Sequence, residues 1–339
     1  MTIVASTDPL DFTGKLSASH SGRLLRDRLG QRWPESSDRL SAMVRHALLP
    51  AGKLIRPIMA LESASAAGGR PEPVLPAALG LEYLHVATLV HDDIIDGDTT
   101  RRGRPTVSAA YGTPDAIVAG DALIFTAYTA IVECRAGGVP ADRIVAAVDA
   151  LSEAGSDLCR GQVLEAGLAG DPTGPATTYL EMVRLKTGAL FRAVCQIGAL
   201  LGGADAERVR LLAGYGESVG IAFQIRDDLL AYTSDAAAIG KSTTSDLTNG
   251  RPTLPVLLAH QVGGPAQRRQ LVEALTRGHA DPAALAGVCE IVRDTGALAA
   301  AREVAAEHAG RAHQRLATLD ESAARDTLAA IAGWAAVPG

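Results

Sequence analysis

The segment His91-Asp92-Asp93-Ile94-Ile95-Asp96 closes an apolar run that extends from Leu79 to Val90. On a helix Asp92 and Asp96 stand four residues apart and share a face, with Asp93 beside them. Three carboxylates converging at one helix end repel one another unless a cation joins them. A hard divalent ion such as Mg2+ takes carboxylate oxygens and completes its shell with water and substrate phosphates. A solvated acidic helix end is the plainer reading, and it weakens because Thr99-Thr100-Arg101-Arg102-Gly103-Arg104 follows directly. Acids beside guanidinium groups suit an anion held through metal on one side and arginine on the other. A second acidic pair, Asp227-Asp228, follows another apolar stretch, Val219 to Phe223. Two such clusters predict facing helices that clamp metal ions between them. Lys53 and Arg56 stand three apart on one helix face, Lys186 opens Lys186-Thr187-Gly188, and Lys241 through Arg251 adds further positive charge. Cations on five separate segments beside two acidic clusters predict a ligand with more than one phosphate group.

The elements that carry these groups read as helices. The chain has 339 residues, 47% hydrophobic but only 4% aromatic and rich in small residues, a composition that favours packed helices over a β-sandwich. Apolar residues recur at three- and four-residue spacing in most segments, with no strand-like alternation. Breaks fall at Ala67 to Pro71, Gly137-Gly138, Gly170 to Gly174, Leu201 to Gly203 and Ser234 to Pro252. They divide the chain into roughly 10–13 helices with short connections. No linker separates domains, so residues 17–339 are expected to form one all-α domain, preceded by a loose tail over residues 1–16. The net charge of −6 argues against a broad nucleic-acid surface. Cys134, Cys159, Cys195 and Cys289 show no CxxC spacing, which points to a reducing cytoplasm. Met1 to Gly14 lacks the pattern of a signal peptide. No uninterrupted apolar run approaches the ~18–20 residues of a membrane helix; Ala116 to Val132 comes nearest, with Asp121 inside it. Two glycine patterns carry nothing. Gly214-x-Gly216-x-x-x-Gly220 is off the dinucleotide spacing, and Gly240-Lys241-Ser242 has Asp235 where a P-loop needs its first glycine.

Taken together, these residues resemble a trans-isoprenyl diphosphate synthase of the polyprenyl synthetase family. The resemblance is carried by Gly52-Lys53-Leu54-Ile55-Arg56-Pro57, His85 to Asp96 with Arg101-Arg102-Gly103, and Gly120-Asp121. It continues through Gly161-Gln162, Lys186-Thr187-Gly188, Phe223-Gln224 with Asp227-Asp228, and Gly240-Lys241 through Gly250-Arg251 to Pro255. These motifs span about 200 residues in order; the flanks match only in helical character. The resemblance implies an all-α fold around a deep central cavity, a homodimer, and head-to-tail condensation of isopentenyl diphosphate with an allylic diphosphate. It implies that Asp92, Asp93, Asp96, Asp227 and Asp228 hold about three Mg2+ on the allylic diphosphate, which Arg101, Lys186 and Lys241 also contact. By the same resemblance Gly52, Lys53, Arg56, His85 and Arg102 take isopentenyl diphosphate, and Thr187 and Gln224 line the reacting carbons. Arg251 stands where a lysine is commoner and keeps the charge at the substrate.

One departure is Ala231, at the position of a third aspartate in the second acidic motif. It implies weaker metal affinity, and it leaves room for a class I terpene cyclase on the same fold. The Lys53, Arg56 and Arg102 set argues against a cyclase, which needs no second diphosphate site. The aspartates argue likewise against a non-catalytic subunit. In such enzymes the product grows until a bulky side chain stops it, four or five residues before the first aspartate. Here those residues are Thr88 and Ala87, with Leu84 one turn further down. Both are small, so a product longer than C20 is expected, in preference to a geranylgeranyl or farnesyl diphosphate.

Overall fold

A computed structural model describes residues 9–233, 249–276 and 282–337. The order is α1 (Pro9–Ser17), α2 (His20–Arg32), α3 (Arg39–Leu48), α4 (Ile55–Ala66), α5 (Leu75–Ile95), β1 (Thr100–Arg101), β2 (Arg104–Pro105), α6 (Val107–Tyr111), α7 (Thr113–Glu133) and α8 (Ala141–Leu168). Then follow α9 (Ala176–Val183), a π-helical turn (Arg184–Gly188), α10 (Ala189–Gly202), α11 (Ala206–Thr233), α12 (Leu254–Val262), α13 (Pro265–Thr276), α14 (Pro282–Asp294), α15 (Ala297–Leu316) and α16 (Ala323–Ala336). The architecture is all-α, as the periodicity predicts; the two-residue strands of one hairpin are the only sheet among the described residues.

The shortage of aromatic residues is met by close helix contacts. A Cβ on Gly80 would lie 2.8 Å from the Ala127 carbonyl oxygen, so α5 runs tightly along α7. A Cβ on Gly198 would meet the Ala60 carbonyl oxygen at 2.2 Å, and one on Gly216 the Phe191 carbonyl oxygen at 2.2 Å; these lock α10 between α4 and α11. One large apolar cluster joins α1 to α8, α10 and α11 with the end of α15 and α16; a second joins α9 and α11 to α12 and α15, and a third joins the end of α11 to α12 through α15. The expected loose tail holds structure from Pro9 onward: Phe12 and Leu16 of α1 are fully buried in the main cluster. An apolar pair four residues apart on so short a segment is an amphipathic face, and tertiary packing, not length, stabilises it. Among the described residues two segments are long and apolar enough by hydropathy to cross a membrane, Glu72–Ile95, mostly buried in the bundle, and Thr113–Gly137, buried to a lesser extent.

Candidate active site

Three acids at the C-terminal end of α5 oppose the helix dipole, and basic residues from elsewhere in the chain answer them. Asp93 is 4% exposed and its Oδ1 accepts from Arg101 Nε and Nη2, each at 2.6 Å. Asp96, the C-cap residue, pairs with Arg251. Asp92 faces the interior, where burial, then Asp96 and Glu165, push its carboxyl up while Lys186 and Arg101 hold it down. Lys186 Nζ is 2.5 Å from Glu165 Oε2. The Lys186 backbone reaches α8 because residue 161 is glycine: a Cβ there would lie 2.5 Å from the Lys186 amide nitrogen. Lys186 and Thr187 sit on the π-helical turn, a local irregularity that re-aims side chains at functional sites.

Across from α5, α11 presents the second acidic pair. Asp228 is 5% exposed and accepts from Tyr179 Oη and from Gln224 Nε2 at 2.9 Å, while Thr187 Oγ1 donates to Gln224 Oε1 at 2.9 Å. Asp227 opens onto the neighbouring cavity, with Arg226 Nη1 3.6 Å from its carboxylate. Asp92, Asp96, Glu165, Lys186, Asp228 and Arg251 thus line one polar cavity of ≈ 240 Å3. These hard oxygen donors fit Mg2+, which keeps several waters and binds through one or two carboxylates plus substrate phosphates. Among the described residues no preformed cage of three acidic or imidazole ligands occurs, and an ion shared with phosphate does not require one.

A larger cavity of ≈ 540 Å3 adjoins it through Leu89, Asp92, Arg101, Lys186, Thr187 and Gln224. Arg56 and Arg102, with His85 beside them, make a second cationic pole there, and Leu89, Leu158, Leu190 and Phe223 supply apolar wall. Arg56 Nη1 lies 3.2 Å from His85 Nε2. Burial brings the Arg56 guanidinium down to about 10, with Glu82 and Asp227 opposing. Burial, then Arg56, Arg102 and Arg101, push His85 well below its ordinary 6.5, so the neutral ring accepts from Arg56. The hairpin positions Arg102. Its turn holds Arg102 at φ 53° and Gly103 at φ 73°, both left-handed, as a type I′ connection requires. A Cβ on residue 52 would lie 2.5 Å from Arg102 Nη1, so Gly52 serves by having no side chain.

The structure therefore brings Asp96, Asp228 and Arg251 to one cavity, and Arg56, His85, Thr88, Arg102 and Asp227 to the other, with Asp92, Arg101, Lys186, Thr187 and Gln224 between. It turns Asp93 away from both, into Arg101. Lys53 is exposed, beside the Trp334 ring. Thr88 lines the larger cavity, whereas Ala87 and Leu84 are buried on the row Gly80-Leu84-Ala87-His91 that faces α7. Lys241 lies outside the described residues. Glu165, Tyr179 and Glu82 were not singled out from sequence; only Glu165, three residues after Gln162 on α8, carried a signal that helical spacing could have exposed.

A sequence model of the polyprenyl synthetase family matches residues 37–292. The chain is 35% identical over 325 residues to the short chain isoprenyl diphosphate synthase of Methanothermobacter thermautotrophicus, covering 96% of this chain and 97% of that one. It is 33% identical over 281 residues to the octaprenyl diphosphate synthase of Escherichia coli, covering 83% and 84%. Among solved structures, geranylgeranyl pyrophosphate synthetase from Pyrococcus horikoshii aligns with a TM-score of 0.87 at 30% identity, covering 96% of this chain and 98% of that one. The polyprenyl synthase from Caulobacter crescentus complexed with calcium and isoprenyl diphosphate aligns with a TM-score of 0.84 at 30% identity, covering 98% of each chain.

Proposed function

The chain belongs to the polyprenyl synthetase family and is a prenyltransferase, and from that premise we propose that it condenses isopentenyl diphosphate with an allylic diphosphate to a trans-polyprenyl diphosphate longer than C20. The observation that carries this reading is a pair of adjoining cavities with two cationic poles, Lys186 and Arg251 among Asp92, Asp96, Glu165 and Asp228 in one, and Arg56 and Arg102 beside an apolar wall in the other. A terpene cyclase ionises one diphosphate and has no use for the pole of Arg56, His85 and Arg102.

The allylic diphosphate lies at the acidic pole. Lys186, Arg101 and Arg251 offset its charge, together with Lys241. When bound, Mg2+ neutralises charge developing on the leaving diphosphate, held by Asp92, Asp96, Glu165, Asp227 and Asp228. Tyr179 and Gln224 orient Asp228. The allylic C1–O bond breaks with its electron pair going to the diphosphate. Thr187 commits its hydroxyl proton to Gln224, so its lone pairs are left for the cation that forms, and Leu89, Leu158, Leu190 and Phe223 exclude water from it. Isopentenyl diphosphate, gripped by Lys53, Arg56, His85 and Arg102, attacks C1 through its terminal alkene carbon. The departing diphosphate accepts the proton lost from C2 of the isopentenyl unit.

A small residue, Thr88, on the cavity wall supports a long product, whereas the relatives' names range from geranylgeranyl to octaprenyl. We propose a cytoplasmic homodimer, supported by the apolar outer face of α7 and α8. Ile117, Val118, Phe125, Val132, Val145 and Val163 are exposed there, a face that a second copy would cover. The test is incubation with Mg2+, labelled isopentenyl diphosphate and, separately, dimethylallyl, geranyl, farnesyl or geranylgeranyl diphosphate. A product ladder ending above C20, abolished by chelation, is the expected result. Termination at C20 or below would retain the enzyme class and overturn the product length. Consumption of allylic substrate without incorporation of label would favour the cyclase.

A further inference from the structure

The protein has four phenylalanines and two tryptophans, and four of these six rings form a continuous chain of ring contacts beneath the second cationic pole. Phe12 of α1 stacks on Trp334 of α16 with centroids 5.5 Å apart and an interplanar angle of 22°. Trp334 meets Phe223 at 5.6 Å, and Phe223 meets Phe191 at 5.6 Å. Two of these rings carry cations: the Arg56 guanidinium carbon lies 4.4 Å from the Phe191 centroid, and Arg226 and Lys53 lie 4.4 Å and 5.9 Å from that of Trp334. Arg226, 4% exposed, also donates through Nε to the Val337 carbonyl at 2.6 Å, tying the end of α16 to the residue beside Asp227. The indole Nε1 of Trp334 is buried with no hydrogen-bond partner among the described residues. An unpaired buried N–H costs folding free energy; a phenylalanine would avoid it, but indole offers the strongest ring face to a cation.

We propose that Trp334 is a positioning residue for the isopentenyl diphosphate pole, holding Lys53 and Arg226 on its ring at the centre of this aromatic platform. The assignment rests on the functional reading above, which gives Lys53 and Arg56 to isopentenyl diphosphate. The ring touches no reacting atom; it fixes where the ammonium and guanidinium charges stand before substrate arrives, so that less ordering is left to binding.

The test compares Trp334→Phe and Trp334→Leu with wild type. Loss of ring–cation attraction should raise KM for isopentenyl diphosphate about 3- to 30-fold in Trp334→Leu. Trp334→Phe should fall between, and KM for the allylic diphosphate should stay unchanged. A parallel rise in both KM values with a fallen Tm would make Trp334 a packing residue and overturn the proposal, as would an unchanged KM. A second readout needs no turnover. In Trp33→Phe protein, Trp334 is the one emitting indole, and isopentenyl diphosphate alone should change its emission saturably. No response overturns the platform. Wild-type protein that incorporates no isopentenyl diphosphate overturns the functional reading instead, and the emission titration still decides the platform.

Discussion

Replacing Asp93 with asparagine separates the three acids at the end of α5. Asp92 and Asp96 face the polar cavity, whereas Asp93 is 4% exposed and receives both Arg101 nitrogens on one oxygen. Asparagine keeps an oxygen at that place and removes the charge. Charge-assisted hydrogen bonds contribute about 1.5–3 kcal/mol and neutral ones about 0.5–1.5 kcal/mol, so two bonds lose about 2–3 kcal/mol between them. Two effects reduce this. Burial already pushes the Asp93 carboxyl up, so the variant escapes part of a desolvation cost, and Arg101 is 35% exposed and regains water. A net loss of about 1 kcal/mol remains, which for 339 residues at about 2.1 cal/mol/K each lowers Tm by about 1–2 °C. The larger effect is on the hairpin. With Arg101 loosened, KM should rise about 3- to 10-fold for both diphosphates, while the Mg2+ concentration for half-maximal rate moves little. Asp92→Asn should instead raise that concentration by about 100-fold or more, beyond what loss of an outer partner costs. Calorimetry and Mg2+ titrations of turnover decide the matter. An Asp93→Asn enzyme with unchanged Tm and the Mg2+ requirement of Asp92→Asn would refute the assignment of Asp93 to the hairpin.

Thr88→Phe should shorten the product, whereas Ala87→Phe, fully buried on the row facing α7, should chiefly lower stability by about 1–3 kcal/mol; product sizing and melting of both variants check this. Gly198→Val should cost at least that much, because its Cβ would lie 2.2 Å from the Ala60 carbonyl oxygen, and soluble yield and Tm report it. His85 has a folded pKa below its unfolded value, so its contribution is complete above about pH 6.5 and is lost as pH falls from there toward the folded value. The Tm of wild type should therefore decline between pH 7 and pH 5, and His85→Gln should show a shallower decline.

Much of the site was legible because it is local. The apolar run into Asp92 and Asp96, the arginines after it and the second acidic pair are each contiguous in the chain, and helical spacing gives the faces on which they lie. What was not legible depends on pairing between distant segments. Asp93 and Asp92 are neighbours with the same chemistry, and only the hairpin's return toward α5 turns one into a partner for Arg101. Ala87 and Thr88 are one residue apart, about 100° around the helix axis, and counting back from Asp92 does not say which of them meets the cavity. Phe12 and Trp334 lie more than 300 residues apart, in flanks where no motif marks them. Glu165 looks in sequence like one more surface acid, and becomes part of the site because Gly161 lets the Lys186 backbone come close.

The turn at Arg102 has a consequence for the order of events in catalysis. Arg101 binds Asp93 between the two cavities and Arg102 lies against Gly52, yet their Cα atoms are one peptide unit, about 3.8 Å, apart. The peptide plane between them is rigid, so neither Cα can shift without moving the other. If each pole holds a diphosphate, as proposed above, occupancy of one would stiffen the hairpin that the other pole uses, and the second substrate would meet a lower entropic cost than the first. By thermodynamic reciprocity each substrate would then raise affinity for its partner by the same factor.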